Sequence, residues 1–293
     1  MKKHVSMPDR IFTIINNTVM ILVALIMIYP LYYVVAASFS NAQELVAHKG
    51  ILLAPLSPTT LAYELAFKNP MLLRGYANTL FIVVVGVAVN LVLTTIGAYF
   101  LSRKQVRLQK PIMIMIVITM FFSGGMIPFY FSVRDLGLED SLWSLILPAA
   151  LNTFNLIIMK TSFMSVPESL SESAWLDGAG HLTILFRIIL PVSSSTLAVI
   201  GLYYAVAHWN AWFNAMLFLK DRTKFPLQLV IREILIQNNM SEMADGSDVA
   251  GRAFISETIK YAVIVIATVP ILCVYPFLQK YFTKGVMIGA VKG

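Results

Sequence analysis

The chain has 293 residues, of which 58% are hydrophobic and only 13% charged, with a net charge of +7 at neutral pH. Soluble domains carry about 25% charged residues, so this composition and a mean hydropathy of +0.77 exclude an ordinary soluble domain. They point to a polytopic helical membrane protein whose excess positive charge anchors loops on the cytoplasmic side rather than binding nucleic acid.

The first ten residues are short and basic, with Lys2, Lys3 and Arg10. The apolar run over 11–35 exceeds the core of a signal peptide, which is about 7–15 residues, and predicts an uncleaved first span. Residues 36–74, punctuated by Pro55, Pro58 and Pro70, read as an external loop with a short amphipathic helix over 60–67. The second span is predicted over 76–101, with Asn78, Asn90, Thr94 and Thr95 as its polar positions. Arg103, Lys104, Arg107 and Lys110 then form a short basic loop without an acid, which places that loop in the cytoplasm. A third span over 111–131 carries Gly124, Gly125 and Pro128 near its outer end, and these predict a break. Residues 132–141 read as a short external loop.

The fourth span, 142–163, is unusually polar in its middle, at Pro148, Asn152, Thr153 and Asn155. A polar stretch over 164–191 returns on the cytoplasmic side. The fifth span, 192–219, contains His208-Trp209-Asn210-Ala211-Trp212-Phe213-Asn214. The insertion over 220–258 is the longest external loop, and its basic residues run against the positive-inside count. A sixth span over 259–282 contains Pro270 and Pro276, and a glycine-rich tail follows. The expected fold is therefore all-α, one transmembrane bundle of six spans with both termini cytoplasmic.

Catalytic signatures are missing. There is no phosphate loop for ATP, no His-Glu-x-x-His zinc helix and no Gly-x-Ser-x-Gly elbow. Cys273 is the single cysteine, and the four histidines (His4, His48, His181, His208) show no pair at metal-ligand spacing. The centres of the spans lack the ionisable residues that ion-driven transporters place there, which argues for energy supplied from outside the membrane. The polar span residues are amides and aromatics. Asn152, Asn155, Asn210, Asn214 and Trp209 are the candidates for a solute pathway, because rings cover the apolar face of a sugar while amides bond its edges. Asparagines also act as interhelical glue, and tryptophans as interface anchors.

The stretch 165–191 carries the most information. Ser165 and Glu168 have capping-box spacing with Pro167 in the first turn, so a short helix should start near Val166. Gly178-Ala179-Gly180 should end it, and a second apolar segment, 181–190, runs to Pro191. Ala174 and Gly178, one turn apart, leave room for a close-packed partner. From these residues alone, an interfacial helix–turn–helix resting on lipid headgroups is equally open.

This stretch resembles the EAA loop of ABC-importer permeases in Glu172, Ser173, Ala174, Asp177, Gly178, Ala179, Ile188, Leu190 and Pro191, with Ser173 as a small-for-small departure. Together with the His-Trp-Asn-x-Trp-Phe-Asn run and the ending Tyr275-Pro276-Phe277 through Gly289–Gly293, it is similar to the second permease subunit of maltose-type carbohydrate importers. The resemblance implies a type I importer fold in a bacterial inner membrane. It implies a homologous second permease, two ATP-binding cassette subunits that hold ATP and Mg, and an extracytoplasmic solute-binding protein that delivers a sugar, with oligosaccharides and acidic sugars among the candidates. It implies that 164–191 is a coupling loop to the ATPase and that Gly289, Lys292 and Gly293 reach into the ATPase pair. No cofactor is expected on this chain. An autonomous secondary transporter or channel is the alternative.

Overall fold

The computed structural model describes residues 7–103, 105–237 and 257–273, and every regular element among them is helical. The helices are α1 (Met7–Ser38), α2 (Ala42–Ala47), α3 (Leu61–Lys68), α4 (Pro70–Ser102), α5 (Gln109–Phe121), α6 (Met126–Asp135), α7 (Trp143–Ile146), α8 (Thr153–Met164), α9 (Glu168–Leu176), α10 (His181–Ile184), α11 (Leu190–Val192), α12 (Ser194–Trp209), α13 (Phe213–Phe218), α14 (Leu227–Gln237) and α15 over 257–273. A π-helical turn, Leu185–Ile189, joins α10 to α11, and a short 3₁₀ turn, Arg222–Lys224, precedes α14. The end of the sixth predicted span and the tail positions Gly289, Lys292 and Gly293 lie outside the described residues.

Contacts cluster the chain into two units, Met1–Asn69 with Glu233–Val269, and Pro70–Arg232 with Pro270–Gly293. In the first unit, α1 has 32 residues, apolar and largely exposed on every face from Val19 to Val35, as a lipid-facing helix requires, with its polar residues Asp9, Arg10, Asn16 and Asn17 in the first turns. Tyr33 of α1 meets Tyr261 of α15 edge-on at 5.8 Å. Asn41 caps α2 by accepting from the amide of Gln43 at 3.0 Å.

The second unit is organised on α4. Its 33 residues extend roughly 50 Å at 1.5 Å per residue, longer than the bilayer core. Its buried positions Leu72, Gly75, Thr79, Ile82, Gly86, Asn90, Thr94, Ala98 and Leu101 recur every three or four residues and form one stripe. The stripe is rich in small and polar residues, which suits a helix in lipid: tails are as apolar as leucine, so association there depends on close packing and interhelical hydrogen bonds. α8 and α12 pack against α4, and with the α10 and π-helical segment they share a core of Leu156, Met159, Phe163, Ile184, Leu185 and Ile200.

α1 and α4 are long and apolar enough to cross a membrane alone, and two bent helix pairs are further candidates. One is α5 with α6, bent by 118° around the predicted break at Gly124-Gly125. The other is 181–192 with α12, its bend falling where the sequence places the boundary between the loop and the fifth span; that span, 192–219, is itself interrupted at 210–212, between α12 and α13. The chain is helical from His181 to Val192, turns by 86° at Ser193 and continues as α12. Pro191 cannot donate a backbone hydrogen bond, and the π-helical turn before it absorbs the mismatch. The fourth predicted span is also interrupted: 147–152 is non-helical between α7 and α8. Pro148 has no amide proton to continue α7, and Asn152 restarts the helix by accepting from the amide of Asn155 at 3.1 Å.

Candidate functional site

The loop between α8 and α11 folds as two short helices, with one change from the expected start. Ser165 does not cap α9. Its backbone still belongs to the last turn of α8, and its hydroxyl donates to the carbonyl of Ser162 at 2.7 Å. Pro167 is the N-terminal flanking residue, and Glu168 opens the helix. The C-terminus is a Schellman motif. The amide of Ala179 donates to the carbonyl of Ala174 at 2.8 Å, that of Gly178 donates to the carbonyl of Trp175 at 3.0 Å, and Gly178 sits at φ +81°. A Cβ at Gly178 would meet nothing within 4 Å, so the glycine is required by the backbone turn and not by a neighbour in this chain.

The two faces of this loop differ. Ala174, Trp175, Ala179, Ile188 and Leu190 pack against the core between α4, α8 and α12. Glu172, Ser173, Asp177 and Gly178 face outward, as does Pro191. Ala174 and Gly178 therefore do not form a shared small-residue face, because Ala174 is covered from within. With the outward residues stand Leu176, 90% exposed, and Leu182, 68% exposed. The sequence reading passed over both, although apolar residues in a polar loop between spans were a visible signal. Phe186 is exposed as well, so the loop carries three uncovered large apolar side chains along with the exposed carboxylates of Glu172 and Asp177.

Two side chains at the end of α4, Tyr99 and Arg103, tie the loop to that helix. The Arg103 guanidinium lies 4.4 Å over the Tyr99 ring, and its Nη1 donates to Ser171 Oγ of α9 at 3.2 Å. The Tyr99 hydroxyl meets His181 Nδ1 of α10 at 3.3 Å. Trp175 packs edge-on against His181 at 5.8 Å, so α9 and α10 brace each other as well as α4.

Further along the same bundle the interrupted segment 147–152 borders a cavity of about 710 Å³. Asn152, Asn155, Tyr203, Tyr204, His208 and Asn214 supply its polar wall, and among the described residues that line it none is a carboxylate, ammonium or guanidinium. The wall is held by hydrogen bonds from α4. Asn90 Nδ2 donates to the carbonyl of Ala149 at 2.6 Å, and its Oδ1 meets His208 Nε2 at 2.7 Å. Tyr204 shares a hydrogen bond with Thr94 at 2.8 Å and accepts from the amide of Asn152 at 3.0 Å. Backbone groups freed by the break in the helix thus find partners on neighbouring helices, the condition under which non-helical chain survives at membrane depth.

Asn210 and Trp209 stand differently from the expectation that both border the pathway. Asn210 ends α12 and returns its amide to the carbonyl of Val206 at 2.9 Å, while Asn214 lies in α13. Asn210 and Asn214 are four apart, a spacing that would put them on one face of a continuous helix, but the break between α12 and α13 separates them. Trp209 is buried, meets Tyr76 edge-on at 6.3 Å and does not line the cavity.

The chain is 44% identical over 295 residues to the polygalacturonan/rhamnogalacturonan transport system permease protein YtcP of Bacillus subtilis, covering 98% of this chain and all of that one. It is 42% identical to the protein LplC of the same organism, over 99% of this chain and 98% of that one. Its fold matches a chain in the crystal structure of a bacterial ABC transporter involved in the import of the acidic polysaccharide alginate, with a TM-score of 0.87 and 34% identity over 94% of this chain and 98% of that one. No family model matches the sequence. The chain belongs to the permease subunits of carbohydrate ABC importers.

A permease of this family is a transport component and not an enzyme. The family handles ATP on separate subunits and works as part of a transport system in the membrane. This permease also carries a polar staple at the opposite end of its bundle from Arg103. Asp140, at φ +53°, accepts from the amides of Lys220 and Asp221, both at 3.0 Å, and from Lys224 Nζ at 2.8 Å. The Asp221 amide, Lys224 and the Lys220 amide hold its carboxyl down to about 2. Beside it Glu139 pairs with Lys220 at 3.0 Å, and hydrogen bonds from Tyr130 and Lys220 lower its carboxyl as well. The staple joins the α6–α7 connection to the segment after α13, the two segments next to the cavity-bearing helices.

Proposed function

We propose that this permease imports acidic oligosaccharides of the galacturonate type across a bacterial cytoplasmic membrane. Its expected assembly contains a second permease, two ATP-binding cassette subunits and an external solute-binding protein. The observation that carries the substrate class is the 44% identity, end to end, with a polygalacturonan/rhamnogalacturonan permease. The likeness to an alginate importer supports the same class, since both names describe polymers of acidic sugars. The cavity, whose described lining carries no charged side chain, then reads hydroxyl groups through Asn152, Asn155 and Asn214.

In this reading the outward face of the 165–191 loop, Glu172, Ser173, Leu176, Asp177 and Gly178, docks on the ATPase. Ala174, Ala179, Ile188, Leu190 and Pro191 shape the loop behind it. The basic loop over 102–110 puts this side in the cytoplasm with both termini, and Gly289, Lys292 and Gly293 contact the ATPase pair. ATP-driven closure of the ATPase would move the loop and open the cavity alternately to each side.

The test is gentle affinity purification of the chain from its native membrane, followed by ATPase assays in the presence of the co-purified or co-encoded binding protein. A second permease and an ATPase should appear in comparable amounts, and trigalacturonate should stimulate hydrolysis where maltotriose does not. Recovery of the chain alone, in a detergent that preserves such complexes, would defeat the importer assembly. Stimulation by the neutral sugar alone would defeat the acidic substrate class.

A further inference from the structure

The 165–191 loop is joined covalently to α8 and, through α11, to α12, yet polar attachments also run from it to a third helix. Arg103 and Tyr99, at one end of α4, hold Ser171 on α9 and His181 on α10. Thr94 and Asn90, deeper on the same helix, hold Tyr204, His208 and the carbonyl of Ala149, so they hold the non-helical segment that borders the cavity. From Ser102, the last residue of α4 and the neighbour of Arg103, to Asn90 is twelve positions along one uninterrupted helix, roughly 18 Å. α12, by contrast, is set off from the loop by the 86° turn at Ser193, while α8 runs unbroken from Met164 to Thr153 and ends at the non-helical segment 147–152. A broken helix bends before it transmits a push, whereas an intact one moves as a body.

The chemistry at Arg103 also suits a clamp. Its guanidinium is stacked on a ring, spends one donor on a hydroxyl and leaves Nε buried without a hydrogen-bond partner. A buried donor without a partner costs free energy, so the arrangement is stable only because the neighbouring contacts hold it. Its planar, stacked geometry is one that lysine reproduces only in part.

We propose that α4 carries the movement of the coupling loop to the cavity wall, with Arg103 and Tyr99 as positioning residues that clamp the loop to it. The proposal rests on the importer reading above. It assigns to the second predicted span, and to residues outside the EAA-like motif, the mechanical link between ATP hydrolysis and opening of the sugar cavity. Coupling between distant sites needs an element with two positions that both sites bias, and an intact helix held at both ends supplies the candidate.

The experiment uses the whole complex in lipid nanodiscs, with this chain carrying Cys273→Ser and Leu151→Cys. Leu151 is 46% exposed on the non-helical segment and borders the cavity, so an environment-sensitive fluorophore there reports on the wall. The probe is ATP with orthovanadate, and no sugar has to be known. The complex without clamp variants should hydrolyse ATP and show a spectral shift on trapping. Arg103→Ala and Tyr99→Phe should keep hydrolysis within about twofold and lose most of the shift, a split that general loss of structure would not give. Arg103→Lys should recover part of it. Ser171→Ala, which deletes only the acceptor, should fall in between and serves if Arg103→Ala fails to assemble. A shift of unchanged size in Arg103→Ala and Ser171→Ala would overturn the clamp, and so would parallel loss of shift and hydrolysis in every variant. Hydrolysis without any shift in the unaltered complex would overturn transmission through α4. Failure of any ATPase to assemble with the unaltered chain would instead strike the importer reading, and the proposal with it.

Discussion

Asn90 of α4 and His208 of α12 share a 2.7 Å hydrogen bond in the buried interior of the bundle, and the bond fixes which groups donate. Asn90 commits Nδ2 to the carbonyl of Ala149, so its Oδ1 must accept and His208 Nε2 must carry the proton. His208 Nδ1 is then the acceptor nitrogen of a residue that borders the cavity. Gly86, one turn from Asn90, makes room for the ring: a Cβ there would lie 2.6 Å from His208 Nε2.

Replacing Asn90 by leucine should therefore cost more than the bonds it makes. The buried His208 N–H would lose its partner, at about 1–3 kcal/mol, and the cavity-facing Ala149 carbonyl would lose its bond to Asn90 as well. Gly86→Ala should displace the imidazole and give a similar loss without touching any hydrogen-bonding group. Thermal unfolding of the purified complex in detergent measures both. Equal midpoints for wild type and Gly86→Ala would mean that α4 and α12 do not pack this closely.

Gly178 makes a sharper case than its motif position suggests. Its φ of +81° is one that side chains other than Asn and Asp rarely adopt, while the space around it is open. Gly178→Asn should fold and retain ATPase binding. Gly178→Val should lose the Schellman turn, misplace Asp177 and reduce co-purification of the ATPase by about tenfold, equivalent to about 1.4 kcal/mol. Equal recovery with both variants would mean that the turn geometry is not needed for docking.

Leu176 tests the same surface without backbone strain. At 90% exposure it contributes nothing to this chain's own core, so Leu176→Ser should leave thermal stability within about 0.5 kcal/mol. It should still cost ATPase recovery, because a side chain buried in an interface contributes about 1.5–3 kcal/mol. Normal recovery with the serine would place the contact elsewhere on the loop.

Some of this was legible in the residues, and the reasons for the rest are local. Two long apolar runs became α1 and α4, and Gly124-Gly125 with Pro128 marked the bend between α5 and α6. The break at 147–152 was hidden because hydropathy does not register where a helix stops. Pro148 and Asn152 were visible, but the groups that make the break tolerable, Asn90 and Tyr204, are distant in sequence. The same blindness put Asn210 and Asn214 on one helical face. In the loop, the resemblance to the EAA motif could not say which side is inward. That depends on the core of α4, α8 and α12, which covers Ala174 and leaves Leu176 bare.

Asp140 makes a prediction in pH. Its carboxyl is held at about 2, below the ordinary 3.8, by amides of Asp221 and Lys220 and by Lys224. A depressed carboxylate stabilises the fold above its unfolded value, so the contribution is complete above about pH 4 and is lost as pH falls toward 2. Hydrogen exchange of the peptide spanning 219–225, corrected for intrinsic rates, should rise across that window in wild type. Asp140→Asn keeps an acceptor oxygen and a residue that tolerates φ +53°, but removes the charge. Its exchange should already be raised at pH 7 and should lack the acid-induced step. Asp140→Ala, which also loses the acceptor, should exchange faster still. An acid step of undiminished size in Asp140→Asn would assign the pH dependence to Glu139 and its pairing with Lys220.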